Sequence, residues 1–183
     1  MRKLLFFMIL TSGFFYSQTP SEFTLTKENG LTDYIVTETP NKTKEELYKK
    51  TLDWINRNYQ RADAVIQGQI ENEYVRFQGI DKSSLCKNPN NNLIFTCIEI
   101  RYQIEISVKD GKYKFDVLET EQHNYMYPKF SSNPWMPLEY KFDKKGNIKP
   151  QKVNELPAEY NRLNNSLKEY ILNGSESSNK DNW

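Results

Sequence analysis

The sequence predicts an α+β domain: an antiparallel sheet of about five strands with two helices packed on one face, in the order β-α-β-β-β-β-α. Three observations lead there. Two stretches, 66–79 and 94–117, alternate apolar and polar residues with period two and contain turn signals near their centres. A capped amphipathic segment precedes them over residues 43–59. A second begins around Asn154 and ends near Gly174. A sheet with one apolar and one polar face is covered by helices on one side only.

The elements follow in order. Residues 31–38 (LTDYIVTE) are rich in β-branched side chains and predict the first strand, which Thr39-Pro40-Asn41 breaks. Thr43 and Glu46 have capping-box spacing, with Thr43 accepting from the backbone and Glu46 reaching back. Behind them Leu47, Tyr48, Leu52, Ile55 and Tyr59 make a helical stripe.

With Asn72-Glu73 at its turn, the first hairpin opposes Ile70 to Val75, Gly68 to Phe77 and Ile66 to Gly79. Asp110-Gly111 is the turn signal of the second, opposing Val108 to Tyr113, Ile106 to Phe115 and Ile104 to Val117. Its outgoing strand is expected to reach back to Ile94. A short strand is expected at 140–142, before the Lys145-Gly146-Asn147 turn. The final helix has Pro157 in its first turn, a stripe of Tyr160, Leu163, Leu167, Tyr170 and Ile171, and Gly174 as its C-cap.

The first residues belong to a different kind of segment. Arg2 and Lys3 precede the apolar run 4–10 (LLFFMIL), and Ser17-Gln18-Thr19-Pro20 turns polar. That order predicts a secretory signal peptide over 1–18. The run is shorter than the roughly 20 apolar residues of a transmembrane helix. The expected product is exported, periplasmic or extracellular, without stable membrane insertion after signal removal. It comprises a lead-in at 19–30, a single domain at 31–174 with an irregular Pro/aromatic segment at 123–140, and a polar tail at 175–183. Losing Arg2 and Lys3 takes the net charge from +1 to −1. A near-neutral chain has no electrostatic reason to seek nucleic acid.

Residues 47–59 (LYKKTLDWINRNY), the hairpin around Ile66-Gln67-Gly68 and above all residues 104–115 (IEISVKDGKYKF) resemble a secreted domain-of-unknown-function family, frequent in Bacteroidota, with a TATA-binding-protein-like fold. The resemblance covers roughly 31–120 and continues into the final helix. It implies the fold. It does not imply DNA binding, which belongs to a site rather than to a fold. Residues 82–93 (KSSLCKNPNNNL) and the Pro/aromatic segment depart from the family pattern.

The residues that carry chemistry are few. Cys86 and Cys97 bracket a short loop, and in an oxidising compartment a disulfide between them is expected, stabilising by about 2–3 kcal/mol. Two free thiols are the alternative. His123 is the only imidazole, so any nucleophilic triad must run through it. Extending the second hairpin places it beside Ile98, where a packing or surface role is the expectation. Glu71/Glu73 flank a turn, and Glu119/Glu121 are expected opposite Tyr102 and Ile100. Both pairs read as solvated edges rather than as acid/base pairs.

No metal site and no cofactor are expected. Tyr125, Tyr127, Phe130, Trp135 and Tyr140, held by Pro128, Pro134 and Pro137, form the candidate binding platform for a ligand or partner; plugging the end of the core is their alternative role. The expectation is an exported, non-enzymatic binding or interaction domain whose partner is an unknown protein, peptide or small ligand. The alternative is a small hydrophobic-ligand carrier with a pocket between the sheet and the C-terminal helix.

Overall fold

A computed structural model describes residues 20–81, 99–123, 133–149 and 155–174. Its centre is a six-stranded antiparallel sheet. Strand β3 (Tyr34–Glu38), β4 (Ile66–Ile70), β5 (Tyr74–Asp81), β6 (Ile100–Lys109) and β7 (Lys112–His123) lie in the spatial order β3-β7-β6-β5-β4. The short β8 (Trp135–Pro137) follows β3 along the same edge of β7, pairing with residues 121–123. Helix α1 (Lys44–Asn58) and helix α3 (Leu156–Asn173) contact each other over the sheet.

Between α1 and β4 sits the one-turn helix α2 (Ala62–Val65), which the sequence did not signal. Two small ribbons complete the elements of the described residues. They are β1 (Leu25–Thr26) with β2 (Gly30–Leu31), and β9 (Lys141–Phe142) with β10 (Ile148–Lys149). Among the described residues no helix is long and apolar enough to cross a membrane.

The second hairpin has the expected register, with Lys109 opposite Lys112 around Gly111 at φ +77°. Its turn is anchored to α1. The Asp110 carboxylate accepts from the Lys44 N–H at 2.9 Å, satisfying one of the helix's free N-terminal donors, and the Gly111 N–H donates to the Lys42 carbonyl at 2.8 Å. Thr43 caps α1 as expected, accepting from Glu46 N–H at 3.2 Å. Glu46, however, bonds Lys42 Nζ at 2.6 Å, because an ammonium four residues from its carboxylate is the stronger partner.

Three expectations are corrected. The first hairpin turns through Glu71-Asn72-Glu73, with Asn72 left-handed at φ 60°. Ile70 therefore opposes Tyr74, and Gln69 opposes Val75. A bulge at Gln67 then puts Ile66 opposite Phe77. On an edge strand the exposure of Ile70 is tolerated, so the apolar pattern alone does not fix the register.

The second correction lies in β7, where Leu118 is an extra residue between the pairs Ile104–Val117 and Gln103–Glu119. The third concerns residues 19–30. The first strand of the sheet begins at Tyr34, while Leu31 belongs to the β1–β2 ribbon, and Phe23 before that ribbon is a core residue. Its ring packs edge-on against Phe115 at 5.6 Å and Tyr160 at 5.7 Å. Asn161 clamps its backbone, accepting from Phe23 N–H at 2.7 Å and donating to its carbonyl at 3.1 Å.

The core lies between the helices and one face of the sheet. Ile35, Val75, Phe77, Ile104, Ile106 and Phe115 meet Leu47, Trp54 and Ile55 of α1, and Tyr160, Leu163 and Leu167 of α3. Those last three side chains are buried and fill the layer. Trp54 Nε1–H donates to Ser166 Oγ at 3.1 Å and ties the helices together. The buried phenols find partners: Tyr59 with Tyr102 at 3.0 Å, Tyr160 with Thr120 at 2.7 Å, and Tyr113 donating to Asn164 Oδ1 at 2.9 Å.

Candidate functional site

The sheet face opposite the helices is built from the residues that alternation leaves over. Three of its positions repeat one arrangement, in which a cation is held between an aromatic ring and a carboxylate. Arg76 lies 5.7 Å from the Tyr74 ring centre and bonds Glu105 through Nε at 3.1 Å and Nη2 at 2.7 Å. Lys114 lies 5.4 Å from the Tyr34 ring and 2.6 Å from Asp116. Arg101 lies 4.8 Å from the Trp135 ring and is bonded to Glu121, which is only 8% exposed. Each cation is thereby discharged locally, and its methylene stem shields the sheet from water.

The third arrangement is the most elaborate. β8 pairs with β7 so that Trp135 stands opposite His123, whose ring meets the indole edge-on at 5.1 Å and 87°. The indole is half-buried, with the Arg101 guanidinium over its ring. The Leu118 bulge makes this possible. Without it, even-numbered residues after 117 would face outward. With it, Thr120 turns inward to Tyr160, while Glu121 and His123 turn outward to Arg101 and Trp135.

The bulge also corrects two expected neighbours. The His123 N–H donates to the Glu99 carbonyl at 2.9 Å, one residue on from the expected Ile98. Glu119 and Glu121 oppose Gln103 and Arg101, not Tyr102 and Ile100. Glu121 is thus committed to an ion pair and is no free acid or base.

The expected platform residues separate. Tyr125, Tyr127 and Phe130 lie outside the described residues, as do Cys86 and Cys97. Trp135 is on the helix-free face. Tyr140 packs against the core and lines a depression of about 340 Å³ with Leu31, Val117, Thr120 and Leu138. Its hydroxyl is pushed up by burial, offset in part by a hydrogen bond with Thr120. Glu121 was read from sequence only as part of a solvated edge, and Arg101 and the two other cation arrangements were not singled out. They depend on which residues face each other across strands, a register that for Arg101 and Glu121 the Leu118 bulge sets.

Among the described residues the electrostatics give no activated group. Burial pushes the Tyr59 hydroxyl up to about 12, and moves Tyr102, Tyr113 and Tyr160 upward as well. These phenols stay protonated near neutrality. The Arg76 guanidinium is held above its ordinary value, mainly by the Glu105 hydrogen bond. Among the described residues no group of three or more His, Cys, Asp or Glu side chains is placed to hold a metal.

Among the described residues, the helices on one face and the paired cations on the other define an α+β domain with one sheet surface free of helices. Residues 34–121, from β3 to β7, match the family model of the domain of unknown function (DUF4468) with TBP-like fold. A DUF4468 family protein from Bacteroides ovatus shares the fold, with a TM-score of 0.58 at 10% identity over 75% of this chain and 84% of that one. A TBP-like protein from Parabacteroides distasonis aligns with a TM-score of 0.43 at 13% identity over 76% of this chain and 84% of that one. No curated protein matches the chain at a significant level.

Proposed function

We propose that the chain is an exported, non-enzymatic binding domain that engages a protein, peptide or small ligand through the helix-free sheet face, at the end marked by Trp135. The observation that carries this reading is the half-exposed indole of Trp135, fixed edge-on by His123 and by an Arg101 that Glu121 holds in place. An aromatic with its orientation already set loses little freedom on binding. Cations already bonded to carboxylates offer little to a polyanion, which supports a partner other than nucleic acid. Export is supported by Arg2, Lys3 and the apolar run 4–10. The carrier reading has no comparable support, since Tyr160, Leu163 and Leu167 occupy the layer that a ligand would need.

The test is amide chemical-shift mapping on isotope-labelled protein titrated with a panel of oligosaccharides, extended peptides and duplex DNA. Shifts centred on Arg101, Glu121, His123 and Trp135, lost in Trp135→Ala, are expected for one class other than DNA. Shifts confined to the helical face, or turnover of a substrate that one substitution abolishes, would remove the proposal. Cell fractionation and the mass of the mature N-terminus test export separately.

A further inference from the structure

At the opposite end of the same face, two lysines are placed where folding gives them no reason to be. Lys109 and Lys112 stand directly opposite each other across β6 and β7, both exposed, with no carboxylate at ion-pair distance among the described residues. Like charges in opposed positions disfavour a sheet. They rim a cleft of about 330 Å³ lined by Val36, Ser107, Lys109, Lys112, Tyr113 and Lys114. Most of its wall is apolar.

The charges facing the cleft can be counted. Lys114 is committed to Asp116 at 2.6 Å, and Glu38 occupies the position beside Lys112 on β3. Asp110 is turned to the α1 N-terminus, where it accepts from Lys44 N–H. Three ammonium groups against Glu38 and Asp116 leave a surplus of one positive charge over an apolar floor.

The geometry points to a binding site for a small monocarboxylate with an apolar body. A single carboxylate matches the surplus charge, and the apolar body covers Val36 and the lysine stems. A compact polyanion would leave the floor bare, and a neutral alkyl chain would leave the two ammonium groups opposed. This inference rests on reading the helix-free face as the binding face, but it concerns a subsite remote from Trp135.

Three probes decide it by amide chemical-shift titration of the protein: octanoate, inorganic phosphate and octanol. Saturable shifts at Ser107, Lys109, Lys112 and Lys114 are expected with octanoate alone. In the K109Q/K112Q variant the octanoate affinity should fall at least tenfold, with an unchanged or higher melting temperature showing that the fold is kept. Trp135→Ala should leave octanoate binding intact. Equal response to phosphate, equal response to octanol, or octanoate binding unaffected in K109Q/K112Q would overturn the inference. If octanoate fails while the glycan or peptide panel still maps to Trp135, only the monocarboxylate site falls.

Discussion

The ring of Tyr102 occupies the space that a side chain at Gly79 would need. The two residues oppose each other on β5 and β6, and a Cβ at Gly79 would overlap the ring and hydroxyl of Tyr102. Tyr102 cannot swing away, because its hydroxyl bonds Tyr59 and its ring meets Tyr160 edge-on at 6.1 Å. Gly79→Ala should therefore destabilise the protein by about 1–3 kcal/mol. Gly68→Ala in β4, where nothing lies within 4 Å, should cost far less. Urea midpoints of the two variants check the contrast.

Phe23 gives the second expectation. Phe23→Ala removes a ring buried between Phe115 and Tyr160 and should cost about 3–5 kcal/mol, whereas Asn161→Ala, which removes its backbone clamp, should cost about 1–3 kcal/mol. Denaturant unfolding of both variants measures this. A Phe23→Ala protein as stable as the parent would mean that residues 20–30 do not belong to the cooperative unit.

The alkaline limb of stability follows from the tyrosines. Below pH 10 the Tyr59 phenol is protonated in both folded and unfolded chains. Between its ordinary value of 10.0 and the folded value of about 12, the unfolded chain releases a proton that the native state retains, so stability falls as pH rises. Tyr102, Tyr113 and Tyr160 are shifted the same way, also chiefly by burial. Spectrophotometric titration should show the buried phenols ionising only with loss of near-ultraviolet dichroism.

Glu121→Gln tests the Trp135 end. The substitution leaves the Arg101 guanidinium, largely covered by the indole, without its carboxylate, at a cost of about 1–3 kcal/mol. Trp135 emission should change with it, and the thermal midpoint should fall. An unchanged midpoint would show that Arg101 holds its place through the indole alone.

How far the sequence could be read depended on what sets register. Asp110-Gly111 names its own turn, so every pair from Val108–Tyr113 to Ile104–Val117 was legible. The first hairpin turns on Asn72, whose left-handed backbone no dipeptide rule singles out, and apolar Ile70 drew the register one residue astray. Leu118 carries no glycine or proline mark. Its bulge is imposed by what it aligns, Thr120 with Tyr160 and Glu121 with Arg101. The site inherits that dependence, since Trp135 was visible as an aromatic in a Pro-rich stretch, but its partners were hidden behind the shifted register. Phe23 was missed because a single anchor has no period.

Leu118 also divides β7 into two half-strands of opposite phase. Downstream of it, the inside and outside of the molecule are defined by a count of residues, not by their chemistry. Deleting Leu118 would remove only the extra residue: Val117 would still oppose Ile104 and Glu119 would still oppose Gln103, so Thr120 would stay turned to Tyr160 and Glu121 to Arg101. Leu118→Ala would leave that count, and with it both surfaces, intact. What the downstream half-strand cannot accept is a regular ladder with Leu118 still in it, which would turn Glu119, Glu121 and His123 toward the core.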